Sequence, residues 1–358
     1  PGRRATALQS RPKRRKTNNI NVLVCLSGKT VCAVVQYKRM DFCIRMSPGE
    51  ACMSRKSQRS RVEMFRKDFI TLARECGGSY ATKADRVRIA KYFLNYLREN
   101  GIKLRDTHSI NTRHFQGYLL SRKAQGISHR TIQNERAVMR AILQKDGRYK
   151  LAAPDNPLLS NETLGLTNTC RDGKKIPLPP EEFRKAFTEV EKKNPGVAAA
   201  MQLSYVLGLR TKEAVQSCKS VKSWMQALES GHNSLLIVFG TKGGRPRDTI
   251  ITDRDVVRQA LSYAEKIMNE QSGKLIERPN IKQAIDVYRY HVRKAGLTGE
   301  KSPHSMRYHF SQEARRFYRK DGVGDKEIYA RVSMDLGHGD GRGRYVKQVY
   351  FKNGDIQE

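Results

Sequence analysis

The stretch AAAMQLSYVLGLRTKEAV, residues 198–215, decides the fold prediction for this chain. Its first part is apolar on every side, which indicates a helix buried in a core, and Gly208 supplies the stop signal. Arg210 follows that stop, where its guanidinium can direct a fixed fork of donors at an anion. Glu213 lies one helical turn further on and is placed to hold that arginine.

Around this stretch, residues 179–358 predict a domain of mixed α and β structure. A helix begins at PPEEFRKAFTEV, where prolines and acids occupy the first turn. SLLIVFG and DTIIT predict two short strands around TKGGRPR, which forms a hairpin with a Gly–Gly turn. Further helices follow, then a glycine-rich loop at 337–343 and a last short helix at about 345–351.

Residues 61–150 predict a separate domain of four helices. The first helix runs from about Val62 to Cys76, and the second is capped near Thr82. The third starts near Asn111 and the fourth at Ser128. The fold class is therefore mostly α with a small β-sheet, an α+β protein of two domains.

The remaining segments are a linker and an extension. Residues 151–178 are punctuated by prolines and predict the linker. Residues 1–60 predict a basic extension that is disordered at its start. The β-type runs at 20–46 predict a strand pair within it. One interpretation of this pair is an accessory DNA-binding arm. The alternative is that the natural start is Met53 and residues 1–52 are not native, and the residues leave both open.

Composition indicates the kind of partner. The chain of 358 residues has 69 Lys and Arg against 35 Asp and Glu, a net charge of +34. An excess this large and this widespread favours a polyanion over mere solubility. No apolar run approaches the roughly 20 residues of a spanning helix, and no signal peptide is visible. The seven cysteines form no CxxC pair, which argues against a zinc ribbon and favours reduced thiols in an intracellular protein.

The fourth predicted helix shows one polar, basic face that suits a duplex backbone or groove, although a solvated face is an equal alternative. The candidate DNA-binding residues on it are His129, Arg130, Gln133, Asn134, Arg136 and Arg140.

Three further pieces carry candidate chemistry. Lys242, at the tip of the predicted hairpin, is mobile enough to reach a substrate oxygen, although a turn lysine alone is usually just solvated. His304 and Arg307 in HSMRYHF share one helix face and can hold the oxygens of one phosphate together with Arg210. His338 in DLGHGDGRGRYVKQVYF precedes two tyrosines. A tyrosine has a free pKa of about 10, so as a nucleophile it needs a cluster of cations.

The order Arg, Lys, His-x-x-Arg, His, Tyr resembles the tyrosine recombinases, the phage-integrase family, over about residues 62–358. LGLRTKEAV, TKGGRPR, HSMRYHF and LGHG each fall where that family has its boxes, and the four-helix segment resembles its core-binding domain. The resemblance implies a two-domain DNA clamp, a 3′-phosphotyrosine intermediate, and no metal or nucleotide cofactor. It implies phosphate binding by Arg210, Arg307, His304 and His338, protonation of the 5′ oxygen by Lys242, and support from Glu213.

The nucleophile is the point of departure from the family pattern. Tyr345 and Tyr350 lie seven and twelve residues after His338, and neither fits the family's usual interval. Removing about three residues from the GDGRGR loop would put Tyr350 in place, so we favour Tyr350 and keep Tyr345 as the alternative.

The resemblance also implies partners: double-stranded DNA at a specific recombination site and a homo-tetramer on two sites, with accessory DNA-bending proteins as a further candidate. It implies a cytoplasmic, nucleoid-associated protein encoded by a bacterium, phage or mobile element. A type IB topoisomerase-like activity and a non-catalytic DNA-binding regulator are the alternatives. The sequence gives neither the DNA site nor the choice between integration, excision, inversion and resolution.

Overall fold

The computed structural model describes residues 16–352 except 18–19, 28–29, 38–39, 47, 168 and 171, and before residue 61 it describes only strands and a helix. The chain divides between Thr169 and Cys170 into two compact units. Most of the predicted basic tract, and the end of the chain after residue 352, lie outside the described residues. No helix within the described part is long and apolar enough to cross a membrane.

The first unit begins with an antiparallel sheet whose four strands are paired in chain order. The strands are β1 (Lys16–Thr17), β2 (Ile20–Ser27), β3 (Thr30–Tyr37) and β4 (Met40–Met46). β2 and β3 are the strand pair that the apolar runs predicted. β4 was not predicted, because Asp41 and Arg45 leave only three consecutive apolar residues in its MDFCIRM sequence, too short a run to indicate a strand.

Five α-helices follow in the first unit: α1 (Pro48–Glu75), α2 (Tyr80–Glu99), α3 (Thr112–Ala124), α4 (His129–Lys145) and α5 (Tyr149–Ala152). The predicted caps of α3 and α4 are confirmed, because Asn111 and Ser128 accept hydrogen bonds from the first turns. α2 is capped by Ser79 rather than near Thr82. α1 starts well before Val62, since the preceding residues favour helix without forming an apolar stripe.

The core of the first unit contains a group of packed aromatic rings and encloses one acid. Phe93 lies 5.5 Å from Phe69 and 5.6 Å from Tyr118, measured between ring centroids. Tyr118 donates a 2.7 Å hydrogen bond to Glu135, and Arg122 pairs with the same carboxylate at 2.8 Å. Glu135 is therefore buried but fully paired, as a buried charge must be.

The second unit contains nine α-helices and a two-stranded sheet within its described residues. In chain order they are α6 (Pro180–Glu191), α7 (Pro195–Leu207), α8 (Thr211–Gln216), α9 (Val221–Glu229), β5 (Ser234–Ile237), β6 (Arg247–Ile250), α10 (Arg254–Glu270), α11 (Ile281–Lys294), α12 (Ser305–Lys320), α13 (Asp325–Asp335) and α14 (Gly343–Tyr350). The prediction of a mostly helical protein with little sheet is confirmed.

Helix α7 organises this unit, as its all-round apolar sequence predicted. It packs against α6, α10 and α12 and ends at Gly208, whose φ is 58°. A Cβ at Gly208 would overlap the ring of Phe310, so glycine is required there both by the left-handed backbone and by close packing. A second core joins α12, α13 and α14, and it buries Tyr350.

β5 and β6 form the predicted antiparallel hairpin, but the connection between them is not the predicted Gly–Gly turn alone. Pairing ends at Ile237 and Arg247, and residues 238–246 form a longer loop with a short 3-10 turn at Lys242–Gly244. Gly243 and Gly244 both have positive φ within that loop. The glycines therefore shape the tip of a loop instead of closing a two-residue turn.

Candidate active site

The first component of the site is built where α7 gives way to α8. Arg210 is the N-cap of α8, and its backbone N–H donates to Glu213 Oε2 at 2.8 Å. Its Nη1 donates to the other carboxylate oxygen at 2.7 Å. Glu213 therefore fixes both the backbone and the guanidinium of Arg210, as the spacing of the two residues predicted.

Glu213 is shared by three guanidinium groups. Besides Arg210, it accepts a 2.9 Å hydrogen bond from Arg247 and lies 3.9 Å from Arg307. Burial alone would raise the pKa of Glu213, but the charge and hydrogen bond of Arg247 and the charge of Arg307 leave that pKa below its usual range. One carboxylate among three cations leaves this recess with excess positive charge.

Arg210 and Arg307 converge on one oxygen. Their Nη2 atoms donate to the carbonyl of Leu336 at 2.8 Å and 2.7 Å. Arg307 also donates to the carbonyl of Gly208, and its side chain is almost completely buried. Among the described residues, the Nε of Arg307 has no hydrogen-bond partner. Two arginines arranged on one oxygen can hold two oxygens of one phosphate.

Arg247 is the residue that sequence reasoning missed. It is 7% exposed and donates to Glu213, to the carbonyl of Gly208 and to the backbone carbonyl of Asp335. Burial is the main reason that the pKa of Arg247 is lowered to about 10. It lies in TKGGRPR, where the surrounding polar and basic residues indicate a solvated loop, so the only available signal was its position at the start of a strand.

The LGHG motif brings a histidine to these arginines. Gly337 has a φ of 64°, and a Cβ there would overlap the Arg247 side chain and lie 3.3 Å from Arg210 Nη1. His338 follows, and its Nε2 lies 3.1 Å from the hydroxyl of Tyr350. Burial first, and then the charges of Arg307 and Arg210, lower the pKa of His338 to about 3. His338 is thus a neutral imidazole at neutral pH.

The two candidate tyrosines differ in their surroundings. Tyr350 is the last residue of α14, is 1% exposed and is hydrogen-bonded to His338. Tyr345 is 40% exposed and meets His338 only through the edge of its ring, at 5.0 Å between centroids. The structure therefore brings Tyr350 to the histidine through its hydroxyl and Tyr345 only through its ring.

His304 and Lys242 lie at the accessible side of the site. His304 caps α12, and its ring centroid is 6.2 Å from that of Tyr350. Part of its surface stays exposed, but desolvation of the ring by surrounding protein atoms, followed by the charges of Arg307 and Arg210, lowers the pKa of His304 to about 4. Lys242 is exposed in the β5–β6 loop, and its charge contributes to lowering the pKa of His338.

The basic face of α4 is divided by the structure of the first unit. Arg136 donates to the carbonyl of Leu159 at 2.6 Å, Gln133 to that of Leu166 at 3.0 Å, and Arg140 to that of Pro154 at 3.3 Å. These three side chains hold the segment that follows the helix. The other three candidate residues are more open to solvent: His129 is half-buried, and Arg130 and Asn134 are exposed.

Two family models match the chain. One described as Integrase matches residues 165–313, and one described as Phage integrase, N-terminal, matches residues 62–152. No protein with a curated description matches the chain.

Solved structures share the fold at low sequence identity. A structure of lambda integrase bound to DNA is 16% identical over 84% of this chain and 97% of that chain, with a TM-score of 0.51. A lambda integrase tetramer bound to a Holliday junction is 13% identical over 96% of this chain and 99% of that chain, also at 0.51. The Tn1549 transposon integrase with a circular intermediate DNA is 12% identical over 78% and 94%, at 0.50.

The two family matches, one centred on each unit, define the class of this protein as DNA strand-exchange enzymes. The chain belongs to the phage integrase family of tyrosine-type site-specific recombinases. The Integrase match ends before His338 and Tyr350. The roles of individual residues therefore rest on the geometry described above.

Proposed function

We propose that this recombinase cuts and rejoins DNA through a 3′-phosphotyrosine intermediate on Tyr350. The observation that carries the proposal is the hydrogen bond between the Tyr350 hydroxyl and His338, beside two arginines that converge on one oxygen. A phosphate would supply the negative charge that the three guanidiniums and single carboxylate lack. Such a recess would also stabilise the charge that develops on phosphorus oxygens in the transition state.

In the proposed cleavage step, the Tyr350 oxygen attacks the scissile phosphorus and the bond from phosphorus to the 5′ oxygen breaks. The tyrosine proton passes to His304, whose ring centroid lies 6.2 Å from that of Tyr350 and which is neutral at neutral pH. Lys242 protonates the leaving 5′ oxygen. Arg210, Arg307 and His338 hold the non-bridging oxygens. Religation is the reverse, so the energy of the broken linkage is kept in the phosphotyrosyl bond.

The proposed substrate is double-stranded DNA at a specific site, contacted by both units, which is the clamp that the family resemblance implies. The fold shared with a lambda integrase tetramer bound to a Holliday junction supports assembly of four protomers on two sites. Arg130, Asn134 and His129 are the α4 residues that remain available for a duplex, since the others are engaged within the unit. Domain bounds of 61–150 and 179–358 are part of the same proposal.

Covalent trapping tests the nucleophile. A nicked suicide substrate should yield a protein–DNA adduct with the parent protein and with Tyr345→Phe, the matched control on the same helix. Tyr350→Phe should abolish the adduct while DNA binding stays nearly unchanged, because the rest of the charge remains. The substitution removes one hydroxyl from a ring that is otherwise packed in the core, so the fold should persist.

An adduct formed by Tyr350→Phe and lost in Tyr345→Phe would assign the nucleophile to Tyr345. No adduct from the parent protein on any site would favour a DNA-binding regulator. Relaxation of plasmid that carries no specific site would favour the topoisomerase-like alternative.

A further inference from the structure

Residues 172–178, here called the entry segment, run along the site before α6 begins. The backbone N–H of Ile176 donates to the carbonyl of Glu300 at 3.4 Å, and that of Leu178 to the carbonyl of Ser305 at 3.3 Å. The Lys175 ammonium donates to the carbonyl of Gly299. The C-terminal part of the entry segment is thus attached to the residues on both sides of His304.

The N-terminal part of the entry segment is attached to α14 instead. The Asp172 carboxylate accepts a 2.9 Å hydrogen bond from Gln348 and pairs with Lys352. These partners lie two residues before and two residues after Tyr350. The hydrogen bond of Lys352, followed by that of Gln348, lowers the pKa of Asp172 to about 2, so the carboxylate is ionised at neutral pH.

Gly173 approaches the backbone of α14 directly. Its N–H donates to the carbonyl of Gln348 at 3.4 Å. A Cβ at Gly173 would overlap the carbonyl oxygen of Val349 and lie 2.9 Å from the hydroxyl of Tyr308. Close approach therefore requires glycine at this position.

These contacts complete the end of the helix that carries Tyr350. The last carbonyls of any helix have no partner within the helix. In α14, Gly173 binds the carbonyl of Gln348, and Gln312 binds the carbonyl of Tyr350 at 3.4 Å. The opposite face of α14 packs in the core through Val346 and Val349. The entry segment thus binds the last turn of α14 through hydrogen bonds and an ion pair.

We propose that Asp172 and Gly173 are positioning residues that fix the last turn of α14, and with it the hydroxyl of Tyr350. This inference rests on the proposed function, in which Tyr350 attacks the phosphate. An isolated ion pair at the protein surface contributes little to the stability of the fold. Here one carboxylate and one adjacent N–H bind positions on both sides of a single tyrosine, so their combined effect is on placement more than on stability.

The sharpest test is Gly173→Ala in the full chain, with Gly324→Ala as the control. Gly324 has an ordinary φ, and no atom lies within 4 Å of the position that an added methyl group would take, so its variant adds the same group in open space. At saturating suicide substrate, Gly173→Ala should form adduct about tenfold more slowly, because displacement of a reacting group by about 1 Å costs up to 10²-fold. Its Kd for DNA should match that of the control, whereas its Tm should fall because the methyl group displaces the backbone of α14.

Asp172→Ala provides an independent test without added bulk. Its control is Asp255→Ala, which removes an exposed carboxylate paired with Arg258 on α10, far from α14 in sequence. Asp172→Ala should slow adduct formation several-fold at unchanged Kd, and Asp172→Glu, which keeps the charge, should restore most of the rate. Adduct formation at the control rate by both Gly173→Ala and Asp172→Ala would overturn the inference. Adduct formation by Tyr350→Phe would instead overturn the proposed function beneath it.

Discussion

Three guanidiniums and one carboxylate set the response of the site to single substitutions. Among the described residues, Glu213 is the only acid whose carboxylate forms ion pairs with Arg210, Arg247 and Arg307, and it is 1% exposed. Removing one partner of a buried ion-pair network lowers the free energy of unfolding by more than the intact network contributes to it, because the remaining charges stay buried without a partner. The three arginines would then repel one another in a region of low dielectric.

Glu213→Gln keeps the shape of the side chain and removes its charge. We expect the free energy of unfolding to fall by about 3 kcal/mol, the usual size for a broken buried pair. Chemical denaturation of the variant and of Glu229→Gln, an exposed control at the end of α9, would measure it. Equal stability of the two variants would show that the arginines do not depend on Glu213.

Buried histidines predict a pH dependence of stability. His309 is 8% exposed and stacked on Tyr205, and burial, then the charge of Arg316, lower its pKa to about 4. The unfolded value is about 6.5. The stability that comes from burying His309 as a neutral imidazole is therefore fully present above pH 6.5 and is lost as the pH falls towards 4. Asp335 acts in the opposite sense, since burial raises its pKa to about 6.

We expect the parent protein to lose stability between pH 7 and pH 5. In His309→Gln that loss should be smaller by about 2 kcal/mol, because the depressed group is gone. Denaturant titrations at the two pH values give the difference directly. An identical loss of stability in parent and variant would mean that folding does not lower the pKa of His309, so that His309 is protonated in the folded protein at pH 5.

For helices and strands, the sequence alone was sufficient to predict an element's boundary where a single residue type sets that boundary. Asn111 and Ser128 cap α3 and α4, and Gly208 ends α7, because each satisfies or releases the backbone at a helix end. The apolar run of α7 likewise predicted its burial. Contacts between distant elements were not predictable: nothing local indicates that Arg247 is buried or that Asp172 meets α14.

The candidate site was predictable to a similar extent. Spacing placed Glu213 on Arg210, and the structure shows that contact. The preference for Tyr350 over Tyr345 came from counting loop residues, and it stays a prediction that the hydrogen bond to His338 supports. The length of the β5–β6 loop was missed, because pairing ends at Ile237 and Arg247, where the arginine turns into the core.

The β5–β6 loop carries a prediction about leaving-group chemistry. If Lys242 protonates the 5′ oxygen, Lys242→Ala should slow cleavage by roughly 10²–10⁴-fold, as for other general acids. A substrate with sulfur in place of that oxygen needs no proton, so it should be cleaved by Lys242→Ala nearly as fast as by the parent. Arg245→Ala, a neighbouring exposed cation in the same loop, is the control. Failure of the sulfur substrate to restore the rate would reject this role.

At the scale of the whole molecule, the net charge of +34 is carried by a chain of two compact units. Each phosphate that a protein neutralises steepens the fall of affinity with salt, with a slope near −0.9 per phosphate on duplex DNA. If both units contact one duplex, their slopes should add. Covalent connection should also raise affinity, since binding of one unit presents the other at high effective concentration.

Residues 1–169 and 170–358, produced separately, should therefore each bind site DNA with a shallower salt slope than the whole chain. The two slopes together should approach that of the parent. The intact chain should bind roughly 10²–10⁴-fold more tightly than either piece, and mixing the unlinked pieces should not restore that affinity. Fluorescence anisotropy across a salt series measures both quantities. The 170–358 piece keeps Asp172, Gly173 and every proposed catalytic residue, so it should still form adduct slowly. If that piece alone matched the parent in affinity and slope, the first unit would take no part in holding DNA, and the clamp would be wrong.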